Sequence, residues 1–173
     1  MKAKLLFIAM LLIAISPNLN AQTIVFDGET STDWNTATNW VGDVLPGVNN
    51  DVDLDGNTVV LSANVQIQRV YAGGSSNLTV NAGVILTISD FDGGDDGLEV
   101  QSSGTVINNG TINISNIDEA STDADGLYNK GTFTNNGSIT INGVGQHGMY
   151  LQQGTFTNSA TGTITITNTG QGD

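Results

Sequence analysis

The sequence has no cysteine, two prolines, one histidine and only four basic residues among 173. Without cysteine there is no disulfide framework, no thiolate zinc site and no lipid attachment through an N-terminal cysteine. Exported eukaryotic domains of this size often carry disulfides, so their absence favours a bacterial secreted protein. With a single histidine, the sequence also shows no zinc-binding spacing, no Ser-His-Asp triad and no phosphate-binding loop.

Residues 1–21 have the pattern of a secretory signal peptide. Lys2 and Lys4 form its basic end, residues 5–15 its apolar run and Ser16-Pro17 its break, with cleavage predicted after Ala21. The apolar run is too short to span a bilayer, which needs about 20 residues. The pattern therefore predicts an exported chain with no transmembrane segment, either secreted or held at the cell surface or outer membrane.

Acidic residues dominate the charge of the chain. Seventeen acidic residues against four basic ones give a formal net charge of −13, and removal of Lys2 and Lys4 with the signal leaves 2 minus 17, or −15. Such a charge disfavours nucleic acid and anionic membranes as partners and favours cations or cationic surfaces.

What the sequence has in abundance is one repeated phrase. The segments 104–114, 131–141 and 154–166 share the pattern Gly-Thr-x-x-Asn followed by a strand of alternating Ile and polar residues, and they begin 27 and 23 residues apart. Repeats of this period are typical of stacked architectures, in which each unit is too small to bury its own apolar face. Glycine, present 22 times, and asparagine supply the turns between the short strands.

Two arrangements of these strands are open, hairpins or the coils of a solenoid. Hairpins pair neighbouring strands within a unit, whereas a solenoid pairs each strand with its copy in the next unit. Stacking places like residues on one another, with Val106, Phe133 and Phe156 at one inward position and Leu98, Leu127 and Met149 at another. We therefore predict an all-β, right-handed parallel β-helix, with a register loosened by the unequal repeat lengths.

The segment 22–57 differs from the repeats and is predicted to be an N-terminal cap, followed by coils over 58–173. It contains both tryptophans, and an open solenoid end needs large side chains to cover its core. Phe26, Trp34 and Trp40 are the expected plug.

Residues 26–60 carry a likeness to a known class of proteins. The phrase Asp33-Trp-Asn-Thr-Ala-Thr-Asn-Trp40-Val-Gly, then Leu45-Pro46 and Asn50-Asp-Val-Asp, resembles the opening segment of secreted bacterial β-helix proteins of the adhesin and autotransporter-passenger kind. The resemblance implies a cell-surface or secreted stalk.

The spacing also predicts a chain that continues. The coil-start position held by Asp96, Asp125 and His147 recurs at Asp173, and no capping repeat follows it. We expect a C-terminally truncated fragment, whose first partner is the remainder of its own longer chain.

Two acidic turns form the first candidate metal site. Asp90, Asp92, Asp95 and Asp96 fall in one turn, and Asp118, Glu119, Asp123 and Asp125 fall in the matching turn of the next unit. Stacked carboxylates repel one another, and a hard cation with oxygen ligands relieves the repulsion. This predicts Ca²⁺ bound by Asp92, Asp95, Asp96, Asp123 and Asp125, against the alternative of solvated loop acids.

A second candidate lies at Asp51, Asp53 and Asp55, which with Gly56 match the start of an EF-hand loop. Ser62 stands where the bidentate Glu belongs, and no helical pattern flanks the segment. A true EF-hand is therefore excluded, and a looser calcium loop or a plain turn before a strand remains.

Catalysis has little support in this sequence. Arg69, Lys130 and His147 are the basic side chains available as a catalytic base or charge clamp, and His147 is expected to be an exposed turn residue. Threonine ladders such as Thr132 with Thr155 suggest a flat face for ice or crystalline glycan, although unequal repeats spoil the regularity that such a face needs.

The sequence predicts a structural or adhesive β-helix stalk that binds glycan or protein and is not an enzyme. The alternative is the N-terminal part of a β-helix carbohydrate-active enzyme, a polysaccharide lyase or glycosidase with its active site beyond residue 173.

Overall fold

A computed structural model describes residues 22–91 and 93–170, without the side chains of Asp90 and Phe91. The predicted signal peptide, Asp92 and Asp173 lie outside the described residues.

The described chain is built from short strands and one 3₁₀ turn, which confirms the all-β prediction. No helix among these residues is long and apolar enough to cross a membrane. In chain order the elements are β1 (Gln22–Val25), the 3₁₀ helix Ala37–Asn39, β2 (Asn50–Asp53), β3 (Thr58–Leu61), β4 (Val65–Ile67), β5 (Arg69–Ala72), β6 (Asn77–Val80), β7 (Ile85–Phe91), β8 (Leu98–Val100), β9 (Thr105–Asn108), β10 (Thr111–Ile117), β11 (Leu127–Asn129), β12 (Thr132–Asn135), β13 (Ser138–Val144), β14 (Met149–Leu151), β15 (Thr155–Asn158) and β16 (Thr163–Thr169).

The strands form three parallel sheets. Sheet 1 has the order β1-β2-β5-β8-β11-β14, sheet 2 the order β3-β6-β9-β12-β15, and sheet 3 the order β4-β7-β10-β13-β16. Each complete coil supplies one strand to each sheet, and β1 adds a sixth strand to sheet 1, so the described chain is a β-solenoid of about six turns. Coil 1 is β2-β3-β4, coil 2 is β5-β6-β7, coil 3 is β8-β9-β10, coil 4 is β11-β12-β13 and coil 5 is β14-β15-β16. The parallel β-helix prediction is confirmed, and the hairpin alternative is excluded for the described strands.

Like residues lie on like residues in the core. Phe133 pairs with Phe156 on one side and Val106 on the other, and Leu127 pairs with Leu98 and Met149. Burial of these recurring apolar side chains holds each coil to the next. The predicted inward positions are confirmed.

Unequal repeat lengths do not shift the register. In sheet 3, β10 pairs with β7 and β13, and β13 pairs with β16, through corresponding positions. Most of the difference in length falls in the turns that lead from sheet 3 to sheet 1, which lie between β7 and β8, over 118–126 and over 145–148. These turns carry most of the acidic residues discussed above.

The predicted plug covers the core at the N-terminal end. Phe26, Trp34 and Trp40 are fully or almost fully buried, and the Trp40 ring meets Phe26 and Trp34 edge-on at centroid distances of 5.0 and 4.7 Å. Trp40 Nε1 donates to the carbonyl oxygen of Trp34 at 2.8 Å, which satisfies its buried polar group. The three rings therefore pack into the same buried core as the first strands, and the cap assigned to 22–57 stays a prediction.

Charge is concentrated on and around sheet 1 and in residues 22–57. Apart from Asp90, no strand of sheets 2 and 3 contains a charged residue. The outward positions of these two sheets are mostly threonine, serine and asparagine. Charged side chains lie in the cap, in or next to the strands of sheet 1, and in the turns that lead into sheet 1.

Candidate functional site

A groove of about 610 Å³ lies on the outer face of sheet 1 across coils 3 to 5. The turns that enter sheet 1 supply one set of lining residues, namely Gly94, Asp95, Asp96, Asp123, Asp125, Gln146 and His147. Strands β8, β11 and β14 and the residues just after them supply Glu99, Tyr128, Lys130, Tyr150 and Gln152. Because side chains alternate along each strand, the neighbours of Glu99 and Tyr128 are buried and anchor the groove to the core.

A stack of coil-start residues forms one side of this groove. Asp96 Oδ1 accepts a hydrogen bond from the backbone N–H of Asp125 at 2.9 Å. Asp125 Oδ1 in turn accepts one from the N–H of His147 at 3.0 Å and lies 2.9 Å from His147 Nδ1. The equivalence of these three positions, predicted from spacing, is confirmed. His147 differs from the prediction of an exposed turn residue, because its bonds to the buried Asp125 draw it partly into the stack.

Aromatic rings lie beside this stack in the groove. Tyr128 and Tyr150 are paired residues of β11 and β14, with ring centroids 5.5 Å apart. His147 stacks on Tyr150 at 5.2 Å, and Lys130 Nζ lies 4.6 Å from the centre of the Tyr128 ring. Tyr128 also donates its hydroxyl to Gln152 Oε1 at 2.6 Å. These contacts hold the rings in a fixed platform beside the carboxylates.

Arg69 balances part of the negative charge at the edge of the groove. Its guanidinium lies 2.7 Å from Glu99 Oε2 and 3.1 Å from Asp95 Oδ2. Gln101 donates a further hydrogen bond to Glu99. Glu99 is therefore fixed by two partners, and the charge of Arg69 also acts on Asp96, whose pKa it lowers.

Burial raises the pKa of Asp96 to about 7. The hydrogen bond from the Asp125 amide lowers this pKa, while the charges of Asp125 and Glu99 raise it further. Desolvation and like charge disfavour the ionised carboxylate more than one backbone donor favours it. Asp96 thus holds a proton in the folded protein at pH values where an exposed aspartate has lost it.

The raised pKa of Asp96 makes stability depend on pH. Below about pH 4 the group is neutral in both states; as pH rises to about 7 only the unfolded state ionises, so stability falls. Asp96→Asn keeps an acceptor for the Asp125 amide and removes this cost. After a discount for solvent screening, we expect the variant to be more stable by about 1–2 kcal/mol at pH 8.

Urea unfolding at pH 4 and pH 8 checks this expectation. The gain should be present at pH 8 and absent at pH 4. Asp123→Asn, which removes an exposed carboxylate of the same groove, is the matched control and should change stability by less than about 0.5 kcal/mol at either pH. An equal gain from both variants, or a gain at pH 4, would contradict the assignment to Asp96.

The structure brings together four of the five aspartates predicted for the first calcium site. Asp95, Asp96, Asp123 and Asp125 line the groove, and Asp92 lies outside the described residues. Asp118 and Glu119 line a separate depression with Asn116 and Ala120. Among the described residues, no three histidine, aspartate or glutamate side chains are placed so as to hold a metal ion.

The second predicted calcium site lies on a strand and the turn after it. Asp51 and Asp53 belong to β2 and share its outer face, and Asp55 follows with φ of 45° and donates its N–H to Asp53 Oδ1 at 2.8 Å. Burial raises the pKa of Asp51, while the charge of Arg69 lowers it and that of Asp95 raises it. Strand geometry points Asp51 and Asp53 outward, side by side, rather than around a loop.

The calcium hypothesis stays a prediction for both groups of aspartates. A cation that binds only the folded protein raises the melting midpoint in proportion to the logarithm of its concentration. If either site binds calcium, millimolar Ca²⁺ should raise the midpoint by several degrees over EDTA, while equal Mg²⁺ should raise it less. An unchanged midpoint would contradict the hypothesis.

The sequence did not single out the rings and amides of the groove. Tyr128 and Tyr150 follow Gly126 and Gly148 at matching positions, and this recurrence predicted strands only. The available signal was that strand alternation points Tyr128 and Tyr150 outward, on the same face as charged residues. Gln146 and Gln152 were not predicted, and Lys130 was considered only as a catalytic base or charge clamp.

Comparison with known protein-family models, curated proteins and solved structures gives no significant match to this chain. Function must therefore be argued from the solenoid and its groove.

Proposed function

We propose that the chain belongs to a secreted or cell-surface structural and adhesive stalk, whose long side binds glycan or protein. The observation that carries the proposal is the stack of about six turns in strict register. At about 4.8 Å per turn such a stack rises about 25–30 Å, and each added coil extends it without changing its cross-section. This is a geometry suited to a rigid spacer with a repeated side surface.

Two further observations support the proposal. The pattern of residues 1–21 and the resemblance of residues 26–60 to secreted β-helix proteins both favour export. The groove on sheet 1 offers rings, amides and carboxylates on the side of the stack, which suits recognition of an external ligand.

A binding assay with the purified protein tests the proposal. Beads that carry the protein through a single terminal tag are incubated with a panel of glycans and with intact bacterial and host cells. We expect saturable retention of at least one glycan class or cell type. Retention no greater than that of beads carrying a charge-matched unrelated protein, across the whole panel, would contradict an adhesive function.

A carbohydrate-active enzyme is the second candidate. Asp96 with its raised pKa and the Asp125–His147 pair in one groove are the observation that favours it. The test is release of new sugar ends from polysaccharides, compared between the protein and Asp96→Asn. Turnover that disappears in the variant would support this candidate, and no turnover on any polysaccharide bound by the protein would contradict it.

A further inference from the structure

Three polar groups in the groove make no side-chain hydrogen bond to another residue that the structure describes. They are the hydroxyl of Tyr150, the side-chain amide of Gln146 and the carboxylate of Asp123. These groups come from β14 and from two neighbouring turns. They converge on one space from different elements, as the polar groups of a ligand site do.

The Tyr150 ring is exposed but firmly supported. Its residue is 38% exposed, one of the largest values for an aromatic residue in the described chain, while Tyr128 and His147 pack against it. An exposed ring that is already fixed loses little conformational entropy when a ligand covers it. A flat, weakly polar ligand face is the natural counterpart of such a ring.

The charge of the groove selects the sign of the ligand. Five carboxylates line it, from Asp95, Asp96, Glu99, Asp123 and Asp125, and Lys130 is the one lysine or arginine among the lining residues. Arg69 compensates Asp95 and Glu99 from the edge. Asp123 makes no ion pair with a described residue, and five acidic side chains face one lysine in the groove, so the groove repels acidic sugars and attracts a positively charged group.

We propose that the groove binds a glycan with free amino groups, of the class represented by oligomers of unacetylated glucosamine. In this arrangement the apolar face of one sugar covers the Tyr150 ring, its ammonium group faces the Asp123 carboxylate, and its hydroxyls reach the Gln146 amide. The volume of about 610 Å³ lies within the range of about 300–1,000 Å³ usual for ligand sites. This assignment rests on the proposed function and names its ligand class.

Calorimetric titration of the purified protein tests the ligand class. The probes are a glucosamine hexamer, the N-acetylated hexamer, a neutral glucose hexamer, a galacturonate oligomer and hexalysine. We expect the glucosamine hexamer to bind at least about tenfold more tightly than the other four, and its affinity to fall as salt rises. Equal affinity for the neutral hexamer would overturn the role of the amino group.

Variants assign the binding to the groove. Tyr150→Ala should weaken glucosamine binding about tenfold, since ring contacts of this kind contribute about that factor. Asp123→Asn should weaken it severalfold. Tyr71→Ala removes the same side chain from β5, on the same sheet but outside the groove, and should leave binding unchanged. Melting curves confirm that each variant is folded.

The remaining outcomes distinguish failure of the groove assignment from failure of the proposed function. If glucosamine binds but Tyr150→Ala binds as well as the native protein, the groove assignment is wrong and the adhesive function stands. If hexalysine binds as tightly and is insensitive to Tyr150→Ala, the surface recognises cationic peptides and the glycan proposal is wrong. If no probe binds, the groove proposal fails, and the bead assay with cells decides the proposed function independently.

Discussion

Replacement of Gly137 by alanine, which adds one methyl group, is expected to cause a large loss of folding stability. A Cβ at residue 137 would overlap the carbonyl oxygen and carbon of Gly110 in the coil below. That carbonyl accepts the N–H of Ser138 at 2.9 Å, so it cannot move without loss of an inter-coil hydrogen bond. Overpacking against fixed backbone costs about 3 kcal/mol or more.

Urea unfolding of Gly137→Ala and Gly47→Ala measures this effect. Gly47 is the matched control, since it lies in an exposed turn where the nearest atom to an added Cβ is Asn50 Oδ1 at 3.9 Å. We expect a large fall in the midpoint for Gly137→Ala and almost none for Gly47→Ala. Similar midpoints for the two variants would show that coils 3 and 4 are not in this close contact.

The second large effect is expected at Asn135, in the middle of a buried asparagine ladder. Asn108 Nδ2 donates to Asn135 Oδ1 at 2.8 Å, and Asn135 Nδ2 donates to Asn158 Oδ1 at 2.8 Å and to the Thr163 carbonyl at 3.1 Å. Asn135 and Asn108 are fully buried. Asn135→Ala leaves these partners unsatisfied between coils 3, 4 and 5.

Loss of several buried hydrogen bonds at once, with polar partners left behind, should cost about 2–4 kcal/mol. Asn136→Ala is the control, because this neighbour is exposed and makes one side-chain bond, to Asn109 Oδ1 at 2.9 Å. Its expected cost is below about 1 kcal/mol. Equal destabilisation by the two alanines would mean that the ladder does not hold the coils together.

The sequence alone did not predict which asparagines of the ladder are buried. Asn108-Asn109 and Asn135-Asn136 both precede glycine, and the sequence predicts all four as turn formers. Only the first of each pair is buried, because it ends a strand of sheet 2 and its side chain turns inward. The first asparagine recurs in all three copies of the phrase, as Asn108, Asn135 and Asn158, whereas Ser159 replaces the second in the last copy. Recurrence alone does not distinguish a buried position from a turn position, so burial was not assigned before the stack was known.

The sequence alone also did not predict which acidic side chains of the turns lie in the groove. Spacing alone placed Asp96, Asp125 and His147 at equivalent positions, and the hydrogen bonds between them confirm this. Turn lengths, however, decide where the other acids lie. The longer turn 118–126 carries Asp118 and Glu119 away from the groove, and a repeat pattern does not specify the path of a turn whose length varies between coils.

By contrast, the core and the cap followed directly from the pattern. Alternating Ile and polar residues fix which face of each strand is buried, and repetition of the same phrase fixes the partner. The sequence has few aromatic residues, so the large rings of Trp34 and Trp40 were predicted to cover the open end of the stack, and both are buried.

Cysteine cross-linking that reports the strand register between coils 4 and 5 tests the stacked solenoid most directly. The chain has no cysteine, so two engineered cysteines can form a disulfide only with each other within one molecule. Thr132 and Thr155 are exposed direct partners in neighbouring strands, whereas Thr132 and Thr157 are two positions out of register, about 8 Å apart. Under mild oxidation, Thr132→Cys with Thr155→Cys should form an intramolecular disulfide, detected by mass spectrometry, and Thr132→Cys with Thr157→Cys should not. Equal cross-linking of both pairs, or none for the first, would contradict the stacked solenoid from which the groove and its proposed ligand follow.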